Sequence, residues 1–181
     1  MERFLAKSGR TIISQPIKGT IGKGNTPEAD HAMTDLLLNS EKERAENVMI
    51  VDLVRNDLAR ISIPGTVAVS ELFGIYSYLQ VHQMISTVKS EIRDTCTFAE
   101  IIKGTFPMGS MTGAPKIAAM QQIEELEDFK RGWYSGALGY VAPSGDFDFN
   151  VVIRSLLCDT QNNLISYAAG GAITIDSIPE N

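Results

Sequence analysis

A lysine stands between a proline and a glycine near the start of the chain, in the run QPIKGT at residues 15–20. Proline fixes one backbone dihedral angle and glycine permits conformations that other residues resist, so the run predicts a turn that places Lys18. A lysine amine becomes a nucleophile when desolvation or a neighbouring positive charge favours its neutral form. The alternative is a solvated surface lysine, and these six residues do not decide between the two.

The segment FPMGSMTGAPK, residues 106–116, is rich in small residues and turn formers. A glycine-rich approach to a helix exposes backbone N–H groups, and a hydroxyl of Ser110 or Thr112 with the charge of Lys116 would favour an anion. The segment does not match the phosphate-binding P-loop pattern. A carboxylate or phosphate site and an ordinary helix-entry loop are both open interpretations.

Acidic residues on or near one predicted helix are candidate ligands for a hard cation. Magnesium prefers carboxylate oxygens, and one helix seldom supplies a whole site, so Glu46 would be one ligand of several. In the alternative interpretation, Glu43 caps the helix, while Asp52, Arg55 and Asp57 form ion pairs.

Arg154 lies in the run NVVIRSLL, residues 150–157, where strand alternation predicts that its side chain points opposite Ile153. An unpaired buried guanidinium is costly, so we expect a carboxylate partner from the protein or from a ligand. Tyr134, in the run GWYSG, is less distinctive, and packing in the core with a hydrogen-bonded hydroxyl would also explain it.

Composition limits the class of protein. The chain has 181 residues, of which 44% are hydrophobic and 21% charged, and this predicts a single domain over residues 1–181. Its net charge of −6 disfavours nucleic acid and anionic membranes as partners. The two cysteines, Cys96 and Cys158, have no metal-binding spacing, and we expect a reducing cytoplasmic environment without a membrane anchor.

The elements that position these residues come in blocks. Helices are predicted near residues 27–39, 41–58, 97–104 and 115–128, from cap residues, proline positions and apolar spacing. Ser40 and Glu43 are expected to form a capping box. Two strands are expected within residues 1–25, and others at 66–72, 84–89, 133–142, 146–158 and 163–175. Because helices and strands do not alternate strictly, the predicted fold class is α+β.

Five blocks of sequence, in order, resemble the chorismate-utilising enzymes: QPIKGT, RAENVMIVDLVRNDLARI, FPMGSMTGAPKIAAMQQIEELE, GWYSGALGY and NVVIRSLL. They extend over nearly the whole chain and are most similar to the aminodeoxychorismate synthase branch, with the anthranilate synthase branch similar in the same blocks. The resemblance implies a chorismate-binding fold of antiparallel sheets packed with helices, and Mg²⁺ as cofactor.

The resemblance also implies roles for residues. Lys18 matches the lysine that, in the aminating branch, bonds covalently to the chorismate ring before ammonia displaces it; anthranilate synthases commonly have alanine there. Glu2 matches a carboxylate suited to proton transfer at the departing hydroxyl, and Glu46 matches a magnesium ligand. The residues that match the lining of the chorismate site are Thr20, Ser110, Tyr134, Arg154, Gly170 and Gly171. Arg154 would pair with the enolpyruvyl carboxylate, which the backbone N–H groups of the two glycines would also approach.

The chain departs from the family pattern at two internal positions. Gln83 stands where histidine is common, and an amide cannot exchange a proton near neutral pH. His82 is adjacent and is expected to face the other way, in a structural role. Ala172 replaces a third glycine and is expected to narrow the backbone approach to the ligand.

Compared with the family, the chain corresponds to a C-terminal catalytic portion, truncated at both ends. The missing part includes a helix with further glutamates, one of them a magnesium ligand, so we expect weak binding of magnesium and chorismate. Strand edges and apolar surface left exposed would favour a homo-oligomer.

The functional hypothesis is amination of chorismate to 4-amino-4-deoxychorismate, for para-aminobenzoate and folate synthesis. Ammonia would come from a partner glutamine amidotransferase subunit. The alternatives are an anthranilate synthase component I, which also eliminates pyruvate, and an inactive fragment that retains the fold.

Overall fold

The structure, a computed structural model, describes residues 2–174 and 177–178. Its elements, in chain order, are β1 (Arg3–Ser8), β2 (Thr11–Gln15), β3 (Ile17–Gly22), α1 (Pro27–Leu38), α2 (Glu41–Ile61), β4 (Ala68–Ser77), β5 (Val81–Glu91), α3 (Phe98–Thr105), α4 (Lys116–Leu126), β6 (Ala137–Val141), β7 (Phe147–Val151), β8 (Leu156–Asp159) and β9 (Leu164–Tyr167). A 3-10 turn at Gly109–Met111 separates α3 from α4. Helices and strands come in blocks and the strand pairs are antiparallel, which confirms the α+β class.

The large sheet is organised around β5. Ile85 of β5 pairs with Ile17 of β3 on one edge and with Gly74 of β4 on the other. β2 and β3 both pair with the same edge of β5, one after the other along its length. They are separated by Pro16, which has no N–H to donate. β1, β7 and β6 extend the sheet beyond β2, and β8 and β9 form a separate hairpin.

Helix α2 covers one face of this sheet. Alternate residues of β5 point toward it, and Val88 packs in the core with Leu58 and Ile61 of α2. Burial of each such side chain contributes about 1.5–3 kcal/mol. Because Glu46 lies on α2 and Lys18 on β3, the packing of helix on sheet determines the distance between them.

Local signals explain where the first helices begin. The Thr26 hydroxyl accepts a hydrogen bond from the N–H of Ala29, and Pro27 occupies the first turn of α1, as predicted. The Ser40 hydroxyl accepts from the N–H of Glu43, although within the described chain this is the one bond of the expected capping box that forms. The Glu43 carboxylate instead lies beside Gly19.

Three sequence predictions about the backbone are wrong. Lys18 lies within strand β3 rather than in a turn, because Ile17 and Thr20 on either side of a register shift both pair with β5. The strand expected at 146–158 stops at Val151 and resumes as β8, with Arg154 between the two at a φ of +53°. Pro115 is the N-cap of α4 rather than its first residue.

Two further outcomes concern the ends of the chain and the membrane. The final strand, predicted at 163–175, ends at Tyr167 as β9, and residue 175 lies outside the described residues. In the part of the chain that the structure describes, none of the helices combines the length and apolar character needed to cross a bilayer.

Candidate functional site

Glu2 is a buried carboxyl just before β1. It is 6% exposed, and its Oε1 accepts a hydrogen bond from the hydroxyl of Ser110 in the 3-10 turn. Burial raises its pKa, against the opposing effects of the Ser110 hydrogen bond, the Ile17 backbone and the positive charges of Lys18 and Arg154. A buried carboxyl that retains its proton above the usual pH range is suited to act as an acid.

Lys18 pairs with the carboxylate predicted to bind metal. Its Nζ lies 3.9 Å from Oε2 of Glu46, with the lysine side chain 19% exposed and the glutamate 16% exposed. Gly19 follows at a φ of +94°, and a Cβ at this position would lie 3.0 Å from Leu37 and 3.2 Å from Oε2 of Glu43. The positive φ therefore favours glycine, and the side chains of α1 and α2 leave little room for a Cβ.

The carboxylates of Glu43 and Glu46 fit part of a magnesium site. They are three residues apart on α2, which brings them to the same side of the helix, near Gly19 and Lys18 respectively. Hard cations take oxygen ligands of this kind. Among residues 2–174 and 177–178 there is no group of three metal-ligating side chains, so the donor set is partial.

Lys116 does not serve as the free cation of an anion site. Its Nζ lies 2.6 Å from Oδ2 of Asp57 and donates to the carbonyl oxygens of Pro107, at 2.7 Å, and Thr105, at 3.3 Å. The structure thus favours the helix-entry interpretation of this segment, in which Lys116 anchors the loop that carries Ser110. The predicted ion pairing of Asp57 is confirmed, as is that of Asp52 with Arg55.

The expectation that Arg154 is a buried strand residue is wrong. The side chain is exposed, and among the described residues no carboxylate lies within ion-pair distance of it. The positive φ ends the strand alternation from which burial was inferred. Its positive charge, like that of Lys18, nevertheless opposes the rise in the pKa of Glu2.

Tyr134 and Gly170 form a second group. A Cβ at Gly170 would lie 2.5 Å from the Tyr134 hydroxyl oxygen, so only glycine allows this approach. The Arg131 guanidinium lies over the tyrosine ring, 5.9 Å from its centre, so Tyr134 is not the simple core residue of the alternative interpretation. Gly171 lies in open space, where glycine is not required by contacts.

Thr20 and Gln83 are cross-strand partners in β3 and β5. Thr20 is exposed and Gln83 is buried, which puts the amide close to the strand that carries Lys18. His82 faces the opposite side of β5, as predicted, where its Nδ1 lies 2.8 Å from the Ser77 hydroxyl and its Nε2 lies 2.8 Å from Asp30. This contact joins α1 to the sheet and supports the structural role.

Sequence reasoning missed Arg131. Its guanidinium donates to both Glu127 oxygens, to the Met111 carbonyl oxygen at 2.8 Å and to the Ser135 hydroxyl at 3.1 Å. It therefore fastens the turn that carries Ser110 to the segment that carries Tyr134. The i,i+4 spacing of Glu127 and Arg131 predicts their ion pair, but no pattern in the sequence predicts the contacts of Arg131 with Met111 and Ser135.

Comparisons with known proteins agree with one another. Residues 1–181 match the family of chorismate binding enzymes. The chain is 44% identical over 181 residues to "Aminodeoxychorismate synthase, chloroplastic" of Arabidopsis thaliana, covering 99% of this chain and 20% of that protein. It is 42% identical over 179 residues to "Aminodeoxychorismate synthase component 1" of Salmonella typhimurium, covering 99% of this chain and 39% of the relative.

A solved structure shares the fold. The crystal structure of anthranilate synthase component I from Streptococcus pneumoniae matches with a TM-score of 0.76 and 37% identity, over 86% of this chain and 34% of that one. The chain thus spans between a fifth and two fifths of the length of these proteins.

Proposed function

Because the chain belongs to the family of chorismate binding enzymes, we propose that it supplies the lysine-bearing part of a site that aminates chorismate to 4-amino-4-deoxychorismate. The observation that carries the proposal is the position of Lys18. Its amine lies beside the Glu46 carboxylate, and its charge acts on the buried carboxyl of Glu2. The proposed nucleophile thus lies beside Glu46 and within electrostatic range of the proposed acid.

The reaction would proceed in two displacements. After the Lys18 ammonium has released its proton, the amine forms a bond to the ring carbon next to the one bearing the carboxylate, the ring double bonds shift, and the ring hydroxyl takes up a proton and leaves as water. Ammonia then bonds to the carbon that lost the hydroxyl, the double bonds shift back, and the bond to Lys18 breaks. The sum is chorismate and ammonia giving 4-amino-4-deoxychorismate and water.

Glu2 would donate the proton that the departing hydroxyl needs. Its raised pKa extends the protonated form to higher pH than that of an ordinary glutamate, and Ser110 fixes one carboxyl oxygen so that the other can face the ring. The exposed guanidinium of Arg154 would bind the enolpyruvyl carboxylate. Thr20, Tyr134, Gly170 and Gly171 would line the remainder of the chorismate site.

Magnesium would be held by Glu46, with Glu43 as the neighbouring carboxylate. When bound, the ion would neutralise and polarise the ring carboxylate of chorismate. The observation that supports this assignment is the pair of carboxylates beside Lys18 and Gly19.

A second protein would supply the ammonia. The words "component 1" in the name of the Salmonella relative imply another component, and we propose a glutamine amidotransferase subunit in that role. The product would serve para-aminobenzoate and folate synthesis in the cytoplasm, where the unpaired thiols of Cys96 and Cys158 are stable. Exposed apolar residues on the edge strand β6, Leu138 and Tyr140, favour self-association.

Mass spectrometry tests the proposal. The chain is incubated with chorismate and Mg²⁺ without ammonia, and we expect an added mass equal to chorismate minus water, located at Lys18 by peptide mapping. Lys23→Ala is the matched control, because Lys23 follows the same strand and pairs with Asp30. Loss of the adduct in Lys18→Ala and its retention in Lys23→Ala support the proposal, whereas no adduct at Lys18 overturns it.

Anthranilate formation is the second candidate, favoured by the structural match to an anthranilate synthase component I. With ammonia, chorismate and Mg²⁺ present, anthranilate and pyruvate would accumulate in place of 4-amino-4-deoxychorismate. Product separation distinguishes the two activities, and the absence of both products identifies an inactive fragment.

A further inference from the structure

Ser86 is a buried junction between the strand that carries Lys18 and the helix that carries Glu46. Its hydroxyl donates to Oδ1 of Asn47 at 2.6 Å, and both side chains are inaccessible to solvent. Its backbone N–H donates to the carbonyl oxygen of Pro16 at 3.2 Å, two residues before Lys18. Because Asn47 follows Glu46 directly, Ser86 connects both members of the Lys18–Glu46 pair through two hydrogen bonds.

The same hydroxyl accepts a hydrogen bond from the N–H of Phe73 at 3.1 Å, where β4 has a φ of +60°. The Asn47 amide group, Nδ2, has no hydrogen-bond partner among the described residues. An unpaired buried donor costs about 1–3 kcal/mol, and an apolar pair would fill the space without that cost. The Ser86–Asn47 pair is therefore better explained by the geometry it imposes than by the stability it adds.

We propose that Ser86 and Asn47 are positioning residues that set the distance between Lys18 and Glu46. The inference rests on the proposed function, in which these two side chains act. Without the Ser86 hydroxyl, α2 and β3 remain packed through their apolar contacts, but the register between the amine and the carboxylate loosens.

Amine labelling tests the proposal without chorismate. The chain is treated briefly with an amine-reactive ester, and labelling of Lys18 is measured by peptide mapping against the exposed Lys42. Loss of an ion pair of up to about 1 kcal/mol corresponds to a change of up to about fivefold. We expect Ser86→Ala to raise Lys18 labelling about three- to fivefold. Glu46→Gln, which removes the ion-pair partner itself, should give a similar rise, and the variant with both substitutions should show no further increase.

Ser90→Ala is the matched control. Ser90 is buried on the same face of β5, and its hydroxyl is 2.7 Å from that of Ser62 at the end of α2, so the substitution removes an equivalent hydrogen bond away from Lys18. Unchanged Lys18 labelling in Ser90→Ala supports the proposal. An equal rise in both serine variants, or a rise in Glu46→Gln without one in Ser86→Ala, overturns it.

Folding and activity provide two further readouts. Circular dichroism melting curves identify a variant that does not fold, and Ser86→Cys, whose thiol fills the site but is a weak hydrogen-bond donor, then replaces Ser86→Ala. In the aminating assay, Ser86→Ala is expected to lower kcat with little change in KM, since Ser86 is buried and is not among the residues proposed to line the chorismate site. Failure of chorismate to form an adduct would refute the proposed function, but the labelling result would still decide the positioning role.

Discussion

The hydroxyl of Ser110 donates a hydrogen bond to the buried carboxyl of Glu2, although the two residues are 108 positions apart in the chain. Two effects on this carboxyl oppose each other: burial disfavours the ionised form, and the hydroxyl favours it. Burial is the larger effect, so the pKa of Glu2 lies above its ordinary value of 4.5. The pair therefore links stability to pH and determines over what range Glu2 can act as an acid.

Glu2→Gln is expected to change how stability depends on pH. A carboxyl whose pKa is higher in the folded state destabilises the protein as pH rises from 4.5 through the folded pKa, because the unfolded chain ionises first. Glutamine removes this loss and can still accept from Ser110. In urea unfolding, stability relative to the parent chain should shift in favour of the variant over the pH range above 4.5, until Glu2 is ionised in the folded protein as well. A constant difference across that range would contradict the raised pKa.

The same substitution should abolish proton donation in the proposed amination. General acids contribute about 10²–10⁴-fold, so we expect kcat to fall by at least about 10²-fold. Asp148→Asn is the control, since Asp148 forms its ion pair with the adjacent strand residue Arg3 and is not part of the proposed site. Similar losses in both variants would show that the acid role was misassigned.

Ser110→Ala is expected to raise the pKa of Glu2 further, because the hydroxyl stabilises the ionised carboxylate. The protonated acid would then persist to higher pH. In a plot of amination rate against pH, the fall in rate on the alkaline side should therefore occur at a higher pH. Infrared absorption of the protonated carboxyl gives the same quantity without substrate. Thr112→Val removes a hydroxyl that bonds to the Met108 carbonyl oxygen, and it should leave the Glu2 titration unchanged.

Gly19→Ala should destabilise the chain more than Gly9→Ala. Both residues have positive φ, at +94° and +57°, so each substitution incurs a backbone penalty of about 1–2 kcal/mol. A Cβ at Gly9 meets nothing within 4 Å, whereas one at Gly19 meets Leu37 at 3.0 Å and Glu43 at 3.2 Å. Urea unfolding measures the loss of stability in each variant, and the difference between the two losses is the steric cost at Gly19. Equal losses would rule out close packing around Gly19.

Much of the fold could be predicted because its signals are local. The Thr26–Pro27 cap and the apolar spacing of α2 depend on neighbours in sequence, and both helices form where expected. The alternation in β5 also predicted correctly that His82 and Gln83 face opposite sides. Strand alternation did not predict the position of Arg154, because a positive φ at this residue interrupts the strand. The surrounding run NVVIRSLL contains no glycine that would indicate the interruption.

The candidate site was less accessible to sequence reasoning, because its contacts join distant segments. Lys116 looked like an anion-binding charge until its partner, Asp57, was brought to it from α2, 59 residues earlier in the chain. The pairing of Ser86 with Asn47 had no signal at all, since neither residue is unusual in its own element. The resemblance to a family gave residue roles, but the geometry that supports them required the folded chain.

Lys116→Met should destabilise the chain by about 3 kcal/mol, because it leaves the Asp57 carboxylate buried without its partner. Burial already raises the pKa of Asp57 above 3.8, and Lys116 opposes that rise, so its removal raises the pKa further. The loss of stability should therefore be greatest at neutral pH and should shrink as pH falls toward 3.8, because Asp57 is then protonated in the folded variant and in the folded parent chain.

Lys130→Met is the control: its ion pair with Glu124 is exposed, and its loss should cost no more than about 0.5 kcal/mol at any pH. Urea unfolding at several pH values measures both variants, and a pH-independent loss in Lys116→Met would show that Asp57 is not the residue left unpaired.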